Sequence, residues 1–176
     1  MANETMTLIS TVTVGAGGAS TIDFTSIPQT YTDLKLYVST RTTSSGAVGE
    51  VAYITLNGST SSFTGRYLQG SGSATSSGSL GRFAALSTDG SATANTFSNN
   101  EIYIANYAGS TYKAFSGDAV VENNATTSYQ ELLANLWSNT AAITSITLNT
   151  SGGVFAQYST VSLYGILKGS GGATVS

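Results

Sequence analysis

A chain of 176 residues is the length of one domain and can bury about 70% of the surface that its unfolded form exposes. Hydrophobic residues at 40% exclude intrinsic disorder, while charged residues are only 9%, against roughly a quarter in ordinary domains, so the polarity rests on Ser, Thr, Asn and Gly. A net charge of -3 with six scattered basic residues argues against nucleic-acid binding, and the absence of Cys and His removes disulfides, thiolate and imidazole metal sites and Ser-His-Asp triads.

The start, MANETMTLIS, lacks the basic residues and apolar stretch of a signal peptide. No run approaches the roughly 20 apolar residues that cross a bilayer, so synthesis in a cytosol and no membrane partner are expected. TLISTVTV reads as a first strand ending at GAGGAS, and STIDF as a short second one. Pro28 fixes its own φ, lacks a backbone donor and biases Ile27 toward extended geometry, so SIPQT is a turn. From Asp33 onward Leu34, Leu36 and Val38 alternate with Lys35, Tyr37 and Ser39, which places the aliphatics on one face of a strand.

EVAYITLNG runs into Asn57-Gly58, a dipeptide suited to the positive φ angles of a tight hairpin. FTGRYLQ and GRFAAL read as strands around SGSATSSGS, which has no bulky side chain and reads as a mobile surface loop. NEIYIANY and YKAFSGDAVVEN form a second hairpin across Ala108-Gly109-Ser110, with Ile102 and Ile104 inward and Glu101, Tyr103 and Ala105 outward.

SYQELLANLW is ambiguous. Tyr129, Leu132, Leu133, Leu136 and Trp137 fall at helical spacing, and Ser128 with Glu131 has the spacing of a capping box, so taken alone the segment reads as helix. Strands on both sides favour a strand over Leu132 to Trp137, with Trp137 in the core. ITSITL and TVSLYGIL close the pattern, residues 1–168 form one domain with an N-terminal arm from Met1 to Met6, and 169–176 read as a flexible tail. With no internal repeat, the expectation is an all-β chain of about nine or ten strands in a two-sheet antiparallel sandwich, jelly-roll-like.

No residue set carries a recognisable chemistry. The carboxylates Asp23, Asp33, Glu50, Asp89, Glu101, Asp118, Glu122 and Glu131 could in principle supply a glycosidase-like pair, but their spacing selects none. GDAVVENN and STDGS offer hard oxygens without the spacing of an EF-hand loop, and GAGG and GSGG lack the downstream Lys of a phosphate loop. Asn3, Asn57, Asn124 and Asn149 begin glycosylation triplets that arise by chance in so Ser- and Thr-rich a chain. No cofactor, metal or catalytic residue is expected. Among ten tyrosines, Tyr37 and Tyr103 lie on the outward parity of their strands, where an amphipathic ring suits subunit contact or stacking on a sugar.

TLISTVTVGAGGASTIDFTSIPQTYTDLKL, EIYIANYAGSTYK, ENNAT, LWSNTAAITSITL and STVSLYGI together resemble small virion proteins of tailed bacteriophages, of the sandwich or jelly-roll type found as head decoration (cement) proteins and as tail-fibre modules. The resemblance spans nearly the whole chain, places a strand at 132–137, and carries no active residue to transfer. It implies a non-enzymatic structural protein made in the bacterial cytoplasm and carried in the virion. The favoured role is capsid decoration, as a homotrimer bound to the major capsid protein. The alternative is a tail-fibre or baseplate adhesin that binds host-surface glycan through loops such as Gly70 to Leu80. Candidate contact residues are Tyr37, Tyr103, Tyr107, Arg66 and Arg82, together with the arm.

Overall fold

The computed structural model describes residues 5–46, 48–123 and 127–167. Twelve strands follow in order: β1 (Met6–Thr13), β2 (Thr21–Phe24), β3 (Asp33–Ser39), β4 (Gly49–Leu56), β5 (Phe63–Gly70), β6 (Thr75–Gly78), β7 (Phe83–Thr88), β8 (Asn99–Ile104), β9 (Lys113–Glu122), β10 (Ser128–Trp137), β11 (Ile146–Thr150) and β12 (Thr160–Ile166). Among the described residues there is no helix.

Eight of the strands are wired as one long antiparallel hairpin. β1 pairs with β12, β2 with β11, β3 with β8 and β4 with β7. Rolling that hairpin brings β12 beside β3 and β11 beside β4, which is the wiring of a jelly roll. The remaining strands come in two excursions, β5–β6 between β4 and β7, and β9–β10 between β8 and β11. They extend one sheet only, so an eight-stranded sheet of order β1-β12-β3-β8-β9-β10-β5-β6 faces a four-stranded sheet of order β2-β11-β4-β7.

Alternation explains the core. Leu34, Leu36 and Val38 of β3, Ile102 and Ile104 of β8 and Val161 and Leu163 of β12 point toward Ile22, Ile54, Leu56, Ile146 and Leu148 of the smaller sheet. Burying each such aliphatic side chain contributes about 1.5–3 kcal/mol. A second cluster lies under the extension, where Phe83 and Leu86 of β7 meet Ala119 and Val121 of β9 and Leu133 of β10.

The outer edge of β7 would otherwise leave buried backbone groups unpaired. Asn100 acts there as a substitute strand: its Oδ1 accepts from Leu86 N at 2.9 Å, and its Nδ2 donates to Leu86 O at 2.9 Å and Val38 O at 3.0 Å. Asn135 Nδ2 donates to Phe83 O at 2.8 Å, and the backbone of Thr40 and Thr42 bonds both sides of Thr88.

Several expectations change. Twelve strands replace about nine or ten; one of those added lies in SGSATSSGS, which is not wholly a loop, where Thr75 to Gly78 form β6, paired with β5 from Tyr67 to Gly70. Small residues suit this strand because it lies at a sheet edge with no partner surface to fill. Asn57 and Gly58 do take positive φ angles of 51° and 73°, and Ser59 N donates to Leu56 O at 2.9 Å. The turn, however, joins strands of opposite sheets, so it makes a corner and not a hairpin. β8 and β9 do pair, across a connection at 105–112 that is longer than the three residues expected. The strand expected over Leu132 to Trp137 is present and starts earlier, at Ser128. Of the arm, Met6 already belongs to β1, while residues 1–4 and the tail 169–176 lie outside the described residues.

Candidate interaction face

The outward side of the eight-stranded sheet is an open surface whose residues line up in register. One row runs Tyr164, Lys35, Tyr103, Ser116, Ala134 and Arg66 across β12, β3, β8, β9, β10 and β5. The next row runs Ser162, Tyr37, Glu101, Asp118, Leu132 and Leu68, ending on Ser77 of β6. Tyr37, Tyr103 and Arg66 therefore share a face, although they come from separate parts of the chain.

The two ends of this face differ in chemistry. At the β5–β10 end, Leu68 and Leu132 stand directly opposite each other and remain 60% and 53% exposed. With Ala134, Gly78 and the stem of Arg66 they line a shallow cleft of about 560 Å³. Together they make an apolar spot on the solvent side of the sheet.

At the β3–β8 end the side chains hold one another. Lys35 Nζ lies 2.7 Å from Glu101 Oε1 and 5.2 Å from the centre of the Tyr37 ring. The hydrogen bond to Glu101 keeps the Lys35 ammonium above its usual pKa, against a smaller opposing effect of desolvation. Tyr37 meets Tyr164 edge-on at 5.7 Å between ring centres. Tyr103 donates its hydroxyl to Asp33 Oδ2 at 2.6 Å, and that bond, aided by burial, raises the phenol above its usual value. Asp118 sits directly opposite Glu101. A depression of about 330 Å³ opens beside them, lined by Tyr37, Asn99, Glu101, Asp118, Val120 and Gln130.

Two of the expected contact residues are elsewhere. Tyr107 is a correction: it is fully buried, at 0% exposure, with its hydroxyl donated to Pro28 O. Strand alternation stops at Ile104, Asn106 takes a φ of 49°, and the ring turns back over the end of the core. The phenol is pushed up by burial. The carbonyl of Pro28 thus serves as the anchor of this ring. Arg82, with φ of 67°, lies off the face and places its guanidinium 5.0 Å over the Tyr53 ring of β4 in the smaller sheet.

Leu68 and Leu132 were not singled out by sequence reading. In β10 the usual signal is inverted: polar Glu131 and Asn135 point inward with Leu133 and Trp137, while Leu132 points to solvent. This inversion is also what made the segment look helical. Glu131 is 2% exposed, accepts from Gln69 Nε2 at 2.5 Å, and has a second oxygen without a protein partner. Burial pushes its carboxyl up, offset in part by the Gln69 bond.

Among the described residues no group of three or more His, Cys, Asp or Glu side chains gathers to hold a metal ion. No family model, no curated protein and no solved structure matches the chain.

Proposed function

We propose that the protein is a non-enzymatic structural component of a tailed-phage virion, a decoration protein that stabilises the head shell by binding across boundaries between major capsid subunits. The observation that carries this reading is the outward face of the eight-stranded sheet, where Leu68 and Leu132 offer an exposed apolar pair beside Ala134 and Gly78, with Arg66 and Asp118 at its rim. Such a surface gains by burial against another protein and is little affected by salt, unlike one built on ion pairs. The jelly-roll wiring supports the reading, as a rigid platform for that face. A ligand that binds only the assembled shell shifts the equilibrium toward it, which is how such a protein stabilises a particle.

The deciding experiment is gold-tagged antibody against the purified protein, applied to intact virions and located by electron microscopy. Label over the head is expected; label confined to the tail, or none on virions, overturns the reading. The trimer implied by the resemblance is checked by the mass of the protein in solution.

A further inference from the structure

We infer that the depression between Tyr37 and Gln130 is a subsite for a neutral sugar ring. The position in the sheet narrows the ligand first. Here β3, β8, β9 and β10 are interior strands whose backbone groups are consumed in the ladders, so side chains alone can meet a ligand. An added peptide strand has no edge to join at this place.

The lining then selects a chemical class. Tyr37 supplies an aromatic wall fixed by Tyr164 on its edge and by the Lys35 ammonium, so it is ordered before any ligand arrives. Asp118 is an acceptor-only carboxylate, and Asn99 and Gln130 bring amides that both donate and accept. Apolar carbon–hydrogen faces beside a ring of hydroxyl groups are what a pyranose presents, and Tyr with Asp, Asn and Gln complements both parts. An anionic ligand is disfavoured, because the two carboxylates lining the depression are Glu101 and Asp118.

The pair also needs an explanation of its own. Like charges directly opposite across a sheet are destabilising, and only Glu101 is neutralised, by Lys35 at 2.7 Å. A local rule broken on a rigid surface marks a site where stability yields to binding. At about 330 Å³ the depression has room for a single sugar ring, near the lower end of the range for small-ligand sites, roughly 300–1,000 Å³. This inference does not rest on the virion reading; it concerns the purified protein, and its failure leaves the location of the protein unaffected.

The test is titration calorimetry of the purified protein against neutral oligosaccharides of glucose, galactose and mannose, with a sulfated oligosaccharide as control. Saturable binding of at least one neutral oligosaccharide is expected, weakened about tenfold or more by Tyr37→Ala and by Asp118→Ala. Asp118 is exposed and its removal relieves the like charge opposite Glu101, so its variant should match or exceed the thermal midpoint of the parent, and a loss of binding then reports the site and not unfolding. Absence of binding to every neutral member, preference for the sulfated control, or binding left intact by both substitutions overturns the inference.

Discussion

Glu131 shows how one residue can be read wrongly in sequence and still be informative in structure. Its carboxyl is buried at 2% exposure with Gln69 as its hydrogen-bond partner, and desolvation raises its pKa. The folded state therefore holds this proton more tightly than the unfolded chain. Stability from this group is fully present below the ordinary carboxylate value and is lost as pH rises through the raised, folded value. Facing it are Gln69 and Ala119 across the two neighbouring strands, and burial and the Gln69 hydrogen bond are the influences on its carboxyl, with no opposite charge to offset the ionised form. Glu131→Gln is expected to gain about 1–3 kcal/mol at pH 7 and nothing near pH 4, measured as the difference in urea midpoints between the two proteins at each pH. Equal differences at both pH values would show that ionisation of Glu131 is not the cause. The same residue limited the sequence reading, because helical spacing and a capping-box pair were real features of the letters while the partner Gln69, 62 residues away, was not visible in them.

At the scale of elements, legibility followed whether a strand obeys alternation with apolar residues inward. β3 obeys it, and Leu34, Leu36 and Val38 were placed correctly from sequence. β10 inverts it, and β6 has no bulky residue to alternate, so both depended on pairing with β5 that the local letters do not encode. Tyr107 fails for another reason: it lies just past a strand end, where parity no longer tells direction. The closure of β7 was likewise hidden, since Asn100 does for Leu86 what a neighbouring strand would do. Asn100→Leu leaves the Leu86 amide and carbonyl and the Val38 carbonyl without this partner in a buried place, and should cost about 3 kcal/mol in urea unfolding. A loss of less than about 1 kcal/mol would mean that the edge finds other partners.

For the whole molecule, the expected sandwich class is present, and the two excursions of chain widen one of its sheets into a broad face. The make-up of that face was only partly legible: Tyr37, Tyr103 and Arg66 were named, whereas register alone unites them with Leu68 and Leu132. Exposed leucines contribute little to folding, so Leu68→Ser with Leu132→Ser should change stability by no more than about 0.5 kcal/mol per site. Co-sedimentation of that double variant with virions lacking the native protein is expected to fall to background. Undiminished co-sedimentation would remove the leucine pair from the contact.

The rolled hairpin also dictates when order can be reached. Among the described residues β1 hydrogen-bonds only to β12, so the first of the twelve strands stays unpaired until the twelfth has been made. Closing so long a loop carries a high entropic barrier, and sandwiches built from such distant pairings fold in roughly milliseconds to seconds. During that wait the edge that awaits β1 and the strand β1 itself are open to other chains; once β1 has paired, the bulge between Leu8 and Ser10 interrupts the regular outer edge that a second copy could extend.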